Sequence, residues 1–271
     1  MNWHGVVAFF YLVSSILYCV YLWTQNPRGS VWGFRTILVA AVLHTLSLVA
    51  FYWSGNQIAG GLDRSLYFFS WFIVLIYIIS QARFKASILG AFVTPLAFLM
   101  ILPSIILPRG IIDHDPSLRN PWILTHIAIV FLGEALFTIA FIAGVLYLFE
   151  ERRIKSKRMG RFLKKLPSLT ALDNLNHVCL LAGFPLLTLG LALGMLFAKE
   201  MWGTFWTWGS KETWSLISWF LYAVLIHGRL ATGWKGRKAA VGSILGFGVI
   251  LFTFFVIGYL APGRHDFLGT Y

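Results

Sequence analysis

A chain of 271 residues with 58% hydrophobic and 12% charged residues departs far from the roughly 25% charge of a soluble domain, which excludes a soluble all-helical core. The formal net charge of +12 does not mark a nucleic-acid surface. The basic residues alternate with apolar runs instead of forming one patch, as they do in loops of polytopic membrane proteins.

Eight apolar runs approach the roughly 20 residues that cross about 30 Å of hydrocarbon. They cover 4–23, 36–53, 66–82, 86–107, 122–149, 177–198, 213–231 and 239–260. The expected fold class is therefore all-α, a polytopic membrane helix bundle of about eight transmembrane helices within a single integral membrane domain, 1–271. The first run has no basic segment before it and no small-residue cleavage site after it, so it reads as a retained span. Pro95 and Pro103 predict a kink or broken end in the fourth span. The fifth is long enough to project beyond the bilayer. Gly190-x3-Gly194 and Gly242-x3-Gly246 offer close helix contacts. Cys19 and Cys179 stand alone, with no CxxC, and read as packing residues.

Counting Lys and Arg by alternate loops gives sixteen on one side and six on the other. The richer side includes "RRIKSKRMGRFLKK" and is expected to be cytoplasmic. Both termini and the tryptophan-rich loop, 202–214, then face outward.

Histidines fall at informative depths. Counted from Arg35, His44 lies about 13 Å above the inner boundary. Counted from Thr213 and subtracted from a core of about 30 Å, His227 lies about 9 Å above it. Two imidazoles on antiparallel spans at one depth suit paired ligation of haem iron, while each alone suits interhelical hydrogen bonding. His126 lies near the outer end of the fifth span, with Glu134 eight residues further in. His4, His114 and His265 are also expected outside, and His177 at the inner mouth of the sixth span.

Trp202, Trp206, Trp208, Trp214 and Trp219 fall within eighteen residues. An interfacial aromatic belt is one reading. A stacking bed for a planar ligand such as a porphyrin is the other, with Lys211 and Arg264 placed to meet propionates. Ser210 is the expected cap of the seventh span, and Glu212 in its first turn complements the helix dipole.

The stretch "WGTFWTWGSKETWSLISWFLYAVLIH", preceded by "LDNLNHVCLLAGFPLLTLGLALG" and followed by "GWKGRKAA", resembles the tryptophan-rich signature of the cytochrome c assembly family. These are CcsA/ResC/CcmC-type haem-handling membrane proteins. The resemblance is closest from about Leu172 to His265 and extends through "ILTHIAIVFLGEAL"; the first 110 residues match in general pattern only. It implies that 111–271 is a haem-handling core following N-terminal helices, 1–110. It implies haem b held by the loop, with Trp202, Gly203, Trp206, Trp208, Lys211, Glu212, Trp214, Trp219 and Arg264 as contacts. It further implies His126 and His265 as outer axial ligands and His227 as an intramembrane ligand. His44 is assigned as the partner of His227 from depth and a looser likeness to smaller relatives.

The sequence departs from the family motif in one place. The family has Trp-Asp followed by Pro, whereas this chain has Trp208, Gly209 and Ser210. Glu212, Glu200 and Asp266 are the candidates for the missing acid.

The expected function is a component of cytochrome c maturation that presents haem outside for attachment to an apocytochrome c with a CxxCH motif. The expected membrane is the bacterial cytoplasmic one. The implied partners are a CcsB-like membrane protein and separate thiol-reducing proteins, within a cytochrome c haem lyase complex instead of an enzyme acting alone. A HemX-like regulator of haem synthesis is the alternative, favoured by the short N-terminal half and Gly209. A small-molecule permease is the third class, and it predicts no absorbing cofactor.

Overall fold

The computed structural model describes residues 3–55, 58, 61–106, 120–156 and 166–257, with side chains to 254. All regular structure among them is helical. Helices α1 (Trp3–Thr24), α2 (Pro27–Trp53) and α3 (Leu62–Phe84) are followed by a broken fourth span. That span is a short 3-10 turn (Ser87–Leu89), α4 (Gly90–Ile101) and α5 (Pro103–Ile106). Then come α6 (Pro121–Lys155), α7 (Leu169–Trp202), α8 (Ser210–Ala231) and α9 (Arg237–Leu251), the last running into a π turn at Phe252–Ile257. Eight of these units are long and apolar enough to cross a membrane. The chain is an integral membrane protein.

Local chemistry sets the ends. Asn26 caps α2 by accepting from Arg28 N–H, with Pro27 as the first helical residue. Asn120 and Pro121 repeat the device on α6. A proline there loses no helical bond, since its missing N–H would have had no partner. Ser168 caps α7 through Ala171 N–H. Helices α2 and α7 thus start well before the apolar runs at 36 and 177, because caps, not hydropathy, fix a helix start. The fourth span breaks at Leu102, before Pro103, while Pro95 stays inside α4.

Packing divides the bundle into two halves. In the first, α2 lies on α1, α3 and the fourth span. The Tyr18 and Tyr77 hydroxyls bond at 2.6 Å, and Ser14 donates to the Gly33 carbonyl at 2.9 Å. In the second, α6 packs along α7 and α9, and α8 along α7 and α9. Helices α6 and α7 meet backbone to backbone at Gly133 and Gly183, where an added Cβ would sit 3.2 Å from the facing carbonyl oxygen. Both Gly-x3-Gly pairs lie at helix contacts. Gly190 and Gly194 face Val130 and His126, and Gly242 and Gly246 face Leu225 and Tyr222. The halves join where Phe68, Phe69 and Phe72 of α3 meet Phe131 of α6.

The end of the bundle opposite the tryptophan loop carries a buried polar lock. Arg229 of α8 donates from Nε to His177 Nδ1 at 3.0 Å and from NH1 to Asn176 Oδ1 at 3.1 Å. It also pairs with Asp173 at 3.2 Å. Asn176 donates to Ala140 O and Ser243 Oγ, and Asp173 accepts from Gly236 N–H. One cation thereby ties α8 to α7 and, through Asn176, to α6 and α9. Exposed Trp32 and Trp53 mark two belts on α2, and twenty-one residues of helix separate them by about 32 Å. That matches a hydrocarbon core of about 30 Å.

Candidate functional site

The tryptophan loop begins where α7 stops. Gly203 takes φ 75° and its N–H bonds to Lys199 O. A Cβ there would meet no atom within 4 Å, so glycine is needed for the left-handed turn and not for space. Lys199 Nζ donates to Gly203 O at 2.8 Å and lies 5.3 Å from the Phe205 ring centre. Trp208 has φ 59° and is 73% exposed. Trp206 meets it edge-on at 6.1 Å, with its indole Nε1 buried and lacking a hydrogen-bond partner.

Helix α8 then starts at Ser210, one residue earlier than a Ser210 cap requires. The N-cap is Gly209 in an extended conformation, φ −61° and ψ 155°. Glu212 closes the turn instead. Its carboxylate accepts from Thr207 N–H at 2.8 Å, Thr207 O–H at 2.8 Å and Gly209 N–H at 3.4 Å. Glu212 is therefore engaged within the loop. Asp266 lies outside the described residues.

Below the loop, the His126 ring on α6 sets its own tautomer. A carbonyl can only accept, so the 2.8 Å contact of Nδ1 with Gly190 O places the proton on Nδ1. Nε2 then carries the lone pair, the state that an axial iron ligand needs. Gly194 leaves room for this ring, since a Cβ there would sit 2.9 Å from His126 Cε1. Lys211, in the first turn of α8, lies within electrostatic reach of both His126 and Glu134. Glu134 Oε2 is buried without a hydrogen-bond partner. These residues fit haem: an imidazole in the ligating tautomer, exposed apolar rings and a cation beside them. His265 and Arg264 lie outside the described residues, as does His114.

The five tryptophans have different neighbours. Trp206 and Trp208 belong to the loop, and Trp202 ends α7 edge-on to Phe197 at 6.4 Å. Trp214 packs on Phe252 at 4.6 Å. Trp219 donates from Nε1 to Thr188 Oγ1 at 2.9 Å and lies against Phe184. Those last two fasten α8 to its neighbours.

The intramembrane histidines are also separated. His44 is fully buried. Its Nδ1 meets Tyr11 Oη at 3.0 Å, and its ring lies 4.1 Å from that of Tyr67. His4 stacks on the same Tyr67 at 4.2 Å. His227 instead lies on an exposed stripe of α8 with Phe220 and Val224. From the end nearer the basic loops, His44 is seventeen residues along α2, about 25 Å. His227 is four residues from the end of α8, about 6 Å. Neither the Tyr11–His44–Tyr67 cluster nor the Thr207–Glu212 clamp was foreseen. Glu at the third position of α8 was the available signal for the clamp.

A family model described as "Cytochrome C assembly protein" matches residues 59–265. A cytochrome c biogenesis protein CcsA of Prochlorococcus marinus (strain AS9601) is 31% identical over 288 residues, covering 97% of this chain and 93% of the relative. One of the same name from Chlamydomonas reinhardtii is 30% identical, covering 83% of this chain and 65% of the relative. The likeness therefore includes the N-terminal helices, beyond the C-terminal signature. A solved structure titled "Cytochrome c Heme Lyase CcmF" superposes with a TM-score of 0.69 at 15% identity, over 93% of this chain. The chain spans 45% of the length of that protein, and the likeness carries the fold.

Proposed function

Since the chain belongs to the cytochrome c assembly protein family, we propose that it is a haem-handling component of cytochrome c maturation. The observation that carries this reading is the His126 ring. Its Nδ1 is fixed by Gly190 O, and it lies below a loop whose Trp208 is 73% exposed. His126 Nε2 and His265 would hold the iron, and Trp206 and Trp208 would supply flat apolar contact. Lys211 and Arg264 would meet the propionates. Haem supplies the vinyl groups that the cysteine thiols of a CxxCH segment add to. The chain's own residues bind, orient and present it. Covalent attachment would occur within a haem lyase complex with a CcsB-like partner and separate thiol-reducing proteins. No inner haem site is assigned to a His44–His227 pair.

The excess of Lys and Arg at one end of the bundle supports a cytoplasmic placement of that end. The loop would then face outward from the bacterial cytoplasmic membrane. The HemX-like regulator is not favoured: relatives named for cytochrome c biogenesis match over nearly their whole length, so the short N-terminal half no longer points to a regulator.

The test is an absorption spectrum of the purified protein from haem-replete cells, with a pyridine haemochrome assay. A six-coordinate, low-spin spectrum is expected. Protein without haem, in a strain that matures its c-type cytochromes normally when the gene is deleted, would sink the proposal.

A further inference from the structure

We infer that Glu212 is the positioning residue of the tryptophan loop, setting the direction of Trp208 by holding the backbone on both sides of it. The inference rests on the haem-bed reading above only for its consequence in binding; the clamp itself is a property of the loop.

Trp208 occupies the left-handed region at φ 59°. A bulky residue stays there only where its surroundings impose it. The two residues flanking it are tied to one carboxylate. Thr207 gives its N–H and O–H, each at 2.8 Å, and Gly209 its N–H at 3.4 Å. With both neighbours held by one anion, Trp208 is forced outward, 73% exposed, with Trp206 edge-on behind it.

Ordinary helix capping does not account for this geometry. A glutamate at the third helical position that only capped α8 would need only the bond to the N-cap amide, and here that bond is the longest of the three. The two short bonds go to Thr207, outside α8. Nor does Gly209 reflect a lack of room. Its φ of −61° suits any residue, and a Cβ there would meet only Thr207 Oγ1, at 3.6 Å. An Asp at 209 would therefore fit and cap α8 by itself. That separates the two roles of Glu212 experimentally.

The experiment uses the full chain in detergent, labelled with 5-fluorotryptophan and assigned by Trp206→Phe and Trp208→Phe. Fluorine spectra are recorded without ligand, and iron protoporphyrin IX is then titrated. Glu212→Ala should move or broaden the Trp206 and Trp208 resonances while leaving Trp219 in place. It should weaken porphyrin binding by about tenfold or more, as loss of charge-assisted hydrogen bonds implies. Adding Gly209→Asp should restore thermal stability but neither the two resonances nor the affinity. If Glu212→Ala does not fold, Glu212→Gln serves, because its amide removes the charge and leaves one accepting oxygen for the three donors that the carboxylate holds. Recovery of the resonances with Gly209→Asp would reduce Glu212 to a helix cap, and unshifted resonances in Glu212→Ala would overturn the inference. A wild-type chain that binds no porphyrin would defeat the haem-bed reading instead, and the ligand-free spectra would still decide the clamp.

Discussion

His44 and His126 both sit on membrane-spanning helices, yet their neighbours use the two rings in opposite ways. His44 lies in the first half of the bundle, fully buried, bonded to Tyr11 and packed on Tyr67. The ring is a piece of the core there. His126 lies near the loop end of the second half, half-buried, with one nitrogen fixed by the Gly190 carbonyl and the lone pair assigned to the other. A histidine in a membrane helix is thus not a ligand by virtue of depth. What distinguishes the two is exposure: His44 is fully buried, its Nε2 without a hydrogen-bond partner, whereas His126 is half-buried. The halves differ likewise: the first locks tyrosines against one another, while the second carries its polar lock at one end and an exposed aromatic loop at the other.

The sharpest way to break this contrast is to remove the lock in the second half. Arg229→Ala leaves Asp173 and Asn176 without their cation, and should cost about 3–5 kcal/mol of stability. Unfolding in detergent against denaturant would measure it. A neutral result would mean that α8 is held by its apolar contacts alone. His44→Leu is the next largest expected effect. It leaves the buried Tyr11 hydroxyl without its partner, for about 1–3 kcal/mol, and should leave any haem spectrum unchanged. A lost or shifted spectrum in that variant would return His44 to the ligand set. Trp219→Phe is the smallest. It removes the hydrogen bond to Thr188 for about 1 kcal/mol, with porphyrin affinity retained. A large loss of affinity would place Trp219 in the bed after all.

Much of the fold was legible because hydropathy reports spans directly: all eight appear. The helix starts were not, and the reason is specific. Apolar runs mark where the hydrocarbon begins, whereas Asn26, Pro27 and Ser168 mark where helices begin. Helix α2 starts at Pro27, eight residues before Arg35, and α8 at Ser210, three before Thr213. At the loop, the aromatic cluster was visible in the sequence. Its division was not, since Trp214 and Trp219 are set apart from Trp206 and Trp208 only by where α8 begins. Glu212 is the same case: it reads as a dipole-compatible first-turn acid until Thr207 is folded back onto it.

The most direct test of the central claim is the absorption spectrum of His126→Ala, purified after haem-replete expression and recorded with and without imidazole. The low-spin bands of the wild type should be lost or weakened in the variant, and added imidazole should bring them back in part, with thermal stability little changed. A variant whose spectrum equals that of the wild type, or one that loses its bands and does not respond to imidazole while remaining folded, would contradict the assignment of His126 to the iron.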